Sequence, residues 1–78
     1  MTFVIELRTG VQFDADGFVT DEGTSAGEIA RIDAPYPGAA RAPAEAALRA
    51  AGITWDSYAP LMGCAWNTPR GIVAMVTA

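Results

Sequence analysis

The chain of 78 residues has no histidine, no lysine, a single cysteine and a single asparagine. Each absence closes a class of chemistry. Without imidazole there is no base of the usual kind for a serine or cysteine hydrolase, and no histidine metal site. Without lysine there is no Schiff base. The lone Cys64 cannot make an internal disulfide, and its nearest base in sequence is Arg70. It therefore reads as a small buried hydrophobe rather than a reactive thiolate, with an interchain disulfide as its other use. No run of 18 apolar residues is present, which excludes a transmembrane helix. The stretch Met1–Glu6 has no basic region and does not read as a signal peptide, so a free thiol places the chain in a reducing cytoplasm.

What is present is apolar and acidic. The chain is 51% hydrophobic and 18% charged, a balance that folds, and its length suits one domain over residues 1–78. Nine acidic residues face five arginines, a net charge of −4. Seven of the nine acids fall in residues 1–33. With no basic stripe the chain does not read as a nucleic-acid binder, and nothing in it points to a membrane. Ala, Gly, Pro and Arg make up 34 residues, the composition of a GC-rich bacterial or phage genome. A domain this small buries only about 60% of its unfolded surface. With no disulfide or metal to staple it, self-association, such as a homodimer, is the route left open.

The sequence predicts an α+β fold: an antiparallel sheet of three to four strands, an N-terminal meander plus a C-terminal strand, packed against one or two short helices. Phe3, Ile5 and Leu7 alternate with Val4, Glu6 and Arg8 in strand fashion. Arg8-Thr9-Gly10 fits a hairpin loop setting Leu7 opposite Val11, Ile5 opposite Phe13 and Phe3 opposite Ala15, with all six side chains buried. Asp16-Gly17 is a second turn, leading into Phe18-Val19-Thr20 and setting Ala15 opposite Phe18 and Phe13 opposite Thr20 on the same buried face. Ser25-Ala26-Gly27-Glu28 has capping-box spacing and predicts a helix over about residues 26–33. Pro43 suits the first turn of a second helix running to Ala51, with Glu45 and Arg49 paired and Gly52 just past its end. Gly71–Thr77 is a continuous apolar run, placed in the middle of the sheet beside the first strand.

Two sets of residues could carry function. The acids Asp14, Asp16, Asp21, Glu22 and Glu28, with Glu6 beside them, could line an open sheet face and meet Lys/Arg-rich grooves, or serve only as a solvated surface. A calcium loop counted from Asp14 fails, because loop positions 5, 6 and 12 are Phe18, Val19 and Ser25. The second set is Trp55, Tyr58, Met62, Cys64 and Trp66, an aromatic and sulfur cluster that either supplies bulk to an Ala-rich core or forms an interface. Neither set makes an enzyme: no nucleophile has a base, and no phosphate loop or cofactor motif is visible.

In size, single-domain build, acidity and lack of catalytic groups, the chain resembles the small phage-encoded anti-CRISPR proteins. The resemblance is one of general character over the whole chain and rests on no motif. It implies a non-catalytic inhibitor that binds a nucleic-acid-processing complex, a CRISPR effector complex, and blocks its DNA site by protein–protein contact. The acids Asp14, Asp16, Asp21, Glu22 and Glu28 would then contact basic residues of that target. Two other readings stay open. One is a structural or assembly subunit of a phage particle or homo-oligomer, held through residues 53–66. The other is an antitoxin or immunity-type protein neutralising a basic partner.

Overall fold

Strand β1 (Thr2–Thr9) is the frame on which the chain is built, pairing antiparallel with β4 (Thr24–Asp33) on one side and β7 (Gly71–Thr77) on the other. The computed structural model describes residues 1–59 and 64–78. Within them, β5 (Ser57–Ala59) and β6 (Ala65–Thr68) complete a five-stranded antiparallel sheet in the order β4-β1-β7-β6-β5. A separate two-stranded ribbon, β2 (Gln12–Phe13) with β3 (Val19–Asp21), grows from the connection between β1 and β4. Helix α1 (Pro37–Ala50) leaves one edge strand, β4, and delivers the chain to the other, β5. The fold is α+β, as the sequence indicates, with a larger sheet than expected.

Three local assignments need correction, each for a physical reason. The predicted pairing of β1 with residues 11–15 does not form: Ile5 lies between Ala30 and Met75, and Phe13 instead faces Val19. The helix expected over residues 26–33 is the edge strand β4. Ile29 and Ile32 carry helical spacing, but an irregularity in register between Ile5 and Glu6 leaves Ile29 as an extra residue, so Ile29, Ala30 and Ile32 all reach the core from a strand. The second helix starts at Pro37, not Pro43. Pro37 occupies the first turn, where its missing N–H is no loss, while Pro43 is tolerated inside the helix.

Other expectations hold. β7 sits centrally beside β1. Gly52, at φ +74°, follows the helix; its N–H donates to the Arg49 carbonyl at 3.0 Å and that of Ile53 to the Leu48 carbonyl at 2.9 Å. Those two bonds satisfy the orphan carbonyls of the last turn, and both Leu48 and Ile53 enter the core.

The core lies between α1 and one sheet face. Ala40, Ala44 and Leu48 form the buried stripe of the helix, whose small side chains let it approach Phe3, Ile5, Val73, Met75 and Trp66. The alternate residues of β7, Ile72, Ala74 and Val76, point to the opposite face and stay only half-buried. Among the described residues no helix covers that second face.

Candidate functional site

On the helix-free face, Glu6 and Arg8 stand side by side, their side chains only 13% and 17% exposed. The Arg8 guanidinium donates through Nη1 to Glu6, through Nε to the Glu22 carbonyl at 2.7 Å, and through Nη2 to the Gly23 carbonyl at 3.1 Å. Glu6 accepts a further bond from Ser25 Oγ at 3.0 Å. Arg8 therefore pins the exit of the ribbon to the sheet, and its charge is spent on Glu6. Glu6 belongs to this part-buried cluster, not to an open acidic face.

The ribbon arches over the sheet and encloses a groove of about 410 Å³. Val11, Phe13 and Val19 form its wall; Ala65, Ile72, Ala74 and Val76 form its floor. Polar groups stand at the ends: Glu22 near Arg8, and Ser57 with Asn67, which face each other across the β5–β6 ladder. A volume in the range of about 300–1,000 Å³ with an apolar lining is typical of ligand sites. Phe13 and Phe18, expected to be buried, are 47% and 56% exposed. They leave the core because the ribbon pairs with itself instead of with β1.

The ribbon's acids have distinct jobs. Asp14 Oδ1 accepts the amides of Asp16 and Phe18, both at 2.9 Å, and the Asp14 carbonyl accepts the Gly17 amide at 3.1 Å, so the turn closes from Asp14 and Phe13 faces Val19 instead of the Thr20 expected of an Asp16-Gly17 hairpin. Asp21 Oδ1 accepts the Gly23 amide at 2.8 Å, closing the turn into β4. The carboxylates of Asp16 and Glu22 have no partner among the described residues and are exposed. Glu28 stands apart on β4, where Arg31 holds it through bonds of 3.0 and 3.1 Å.

Ion pairing concentrates the remaining charge. Glu6, Glu28, Asp33 and Glu45 sit in ion pairs among the described residues. Of the five other acids, four (Asp14, Asp16, Asp21 and Glu22) belong to the ribbon and its exit, leaving Asp56 elsewhere. No group of three His, Cys, Asp or Glu side chains among the described residues could hold a metal ion, so these acids form a spread field rather than a ligand cage. Sequence reading named these four but missed the two exposed phenylalanines and the Arg8 pin.

The aromatic set is arranged differently. Trp66 is fully buried and Cys64 nearly so, which leaves neither open to a partner. Trp55 and Tyr58 are half-buried against the core, and Met62 lies outside the described residues. The helix pair is Arg41 with Glu45, Nε to Oε2 at 3.3 Å, instead of Glu45 with Arg49, whose guanidinium lies 5.1 Å from the centre of the Trp55 ring. No helix among the described residues is long and apolar enough to cross a membrane.

No family model matches the chain, and no curated protein or solved structure matches it.

Proposed function

We propose that the chain is a non-catalytic binding protein whose β2–β3 ribbon docks on a basic, nucleic-acid-binding surface of a partner protein and blocks it. This is an inhibitor of the anti-CRISPR kind, working in the bacterial cytoplasm on a CRISPR effector complex. One observation carries the reading: four carboxylates outside the ion pairs, Asp14, Asp16, Asp21 and Glu22, sit on the ribbon and its exit together with Phe13 and Phe18, both about half exposed. Acids steer an approach to arginines and lysines, and exposed aromatics supply the apolar contact that charge alone does not. The assembly reading ranks second, because two of its expected contact residues, Cys64 and Trp66, are buried. An antitoxin would use the same ribbon and differs only in its target.

The test is affinity capture with the tagged chain from bacteria expressing a CRISPR effector complex, eluted in rising salt. Recovery of the effector at modest salt, unable to bind DNA while occupied, supports the proposal. Asp16→Lys with Glu22→Lys should weaken that capture. Capture that ignores both salt and these variants would sink it.

A further inference from the structure

We infer that the groove beneath the ribbon seats one apolar side chain of the partner, presented between flanking arginine or lysine residues. This rests on the acidic-ribbon reading and adds to it the feature that would give specificity. The floor is aliphatic and unfinished: Ile72, Ala74 and Val76 remain half-buried on a sheet whose other face is closed by α1. Ala65 and Ala74, directly paired across the β6–β7 ladder, keep the floor low. Phe13 forms a wall that is still 47% exposed and gains by being covered.

The polar groups around the groove decide the class of occupant. Arg8 is the one cation in the lining among the described residues, and its Nε, Nη1 and Nη2 atoms already donate to the Glu22 carbonyl, the Glu6 carboxylate and the Gly23 carbonyl. A phosphate or carboxylate would meet a neutralised guanidinium inside a negative field, which disfavours anions. The Glu22 carboxylate, unpartnered among the described residues, favours a guanidinium or ammonium at that end. At the other end, Ser57 and Asn67 offer donors and acceptors suited to the peptide groups of an extended segment. An apolar residue within a basic stretch satisfies all three parts.

The probe is the capped pentapeptide Arg-Arg-Leu-Arg-Arg, compared with its alanine-centred counterpart, added to the full chain. Methyl NMR signals of Ile72 and Val76 report the groove, and the amides of Asp16 and Asp21 report the ribbon. The leucine peptide should bind tenfold or more tightly than the alanine peptide and shift the groove methyls, since the extra carbons are buried only there. Ala74→Leu, which raises the floor, should reduce the leucine peptide to the alanine level with the spectrum still dispersed. If that variant does not fold, Phe13→Ala removes the wall at an exposed position and should narrow the same difference. Equal binding of the two peptides, binding of neither, or shifts confined to the ribbon would overturn the seat; equal binding leaves the ribbon reading standing. Methyl shifts that survive Asp16→Lys and Glu22→Lys undiminished would overturn the acidic reading and leave the apolar seat.

Discussion

The indole Nε1–H of Trp66 donates to Glu45 Oε2 at 3.0 Å, joining the centre of β6 to the side of α1. Trp66 is the largest fully buried side chain, and Glu45 is the acceptor its polar edge needs. The same oxygen takes the Arg41 Nε at 3.3 Å, and Arg41 in turn lies 3.7 Å above the Tyr58 ring, which tilts against Trp66 at 5.3 Å. Glu45→Ala strands the indole N–H and should cost about 1–3 kcal/mol, with Glu45→Gln costing less because it keeps an acceptor. Urea denaturation midpoints at constant slope measure both.

The pH dependence of stability has two flanks in this cluster. Burial pushes the Glu45 carboxyl up, but the hydrogen bonds from Trp66 and Arg41 and the charges of Arg41 and Arg49 outweigh it. The net position is below the ordinary 4.5. Stability from Glu45 is therefore complete above 4.5 and should be lost as pH falls through the lowered folded value. Burial, reinforced by the neighbouring Cys64, pushes Tyr58 up to about 12 from the ordinary 10.0. The unfolded chain releases that proton first, so stability should fall as pH rises from 10 toward 12. Ultraviolet titration of the tyrosines checks this. Cys64→Ala should move the high-pH step downward.

Arg8 and Glu6 stabilise the ribbon only as a pair. Removing one leaves the other largely buried without its countercharge, a loss of about 3–5 kcal/mol in such sites. Arg8→Ala should also release the ribbon, because the Glu22 and Gly23 carbonyls lose their donor. The double variant Glu6→Ala with Arg8→Ala should cost clearly less than the two single losses combined. A double-mutant cycle in denaturant gives the coupling, and equal, additive losses would remove the pin from the argument.

Local chemistry was legible: the Gly52 cap and the apolar β7 run are encoded within a few residues of themselves, whereas the turn near Asp16-Gly17 forms one residue out of the expected register, closed from Asp14 to Gly17 and Phe18. Pairing across distance was not. Val11, Phe13 and Ala15 alternate as a sheet strand would, yet Phe13 pairs with Val19 in a ribbon, and the competing partner, β4, was disguised by the extra residue at Ile29. The candidate acids were legible as a cluster because they are close in sequence. What separates Glu28 from them is Arg31, three residues on, and what neutralises Glu6 is the three-way bonding of Arg8, which depends on the ribbon's return path.

Gly23 marks the tightest point of that return. At φ +70° it takes a conformation costly for other residues, and a Cβ there would overlap the Thr9 carbonyl oxygen and come within 2.9 Å of the Val11 amide nitrogen. Gly10 has a similar φ of +75° but open space around it. Gly10→Ala should thus cost about 1–2 kcal/mol, the backbone penalty alone. Gly23→Ala should cost more, because β1 and the ribbon base must also separate. Comparing the two variants by thermal melting isolates the steric part, and equal losses would show that the crossing can relax.

Asp16 and Glu22 are the clean probes of ribbon charge, and Asp14 and Asp21 are not. Asp14 Oδ1 holds two loop amides and Asp21 Oδ1 holds one, so alanine at either should cost on the order of 1 kcal/mol in stability as well as charge. Asp16→Asn and Glu22→Gln leave every described hydrogen bond in place and should shift stability by less than about 0.5 kcal/mol. If the ribbon works through its field, these two variants should still lower partner affinity and flatten its dependence on salt, mainly through slower association. Asp14→Asn, which keeps the Oδ1 acceptor, should then behave like Asp16→Asn in binding while Asp14→Ala behaves worse in melting. Association rates measured at two ionic strengths, beside melting curves for all five variants, separate the electrostatic role of each carboxylate from its structural one. A loss of binding that tracks stability alone would assign the ribbon acids to folding.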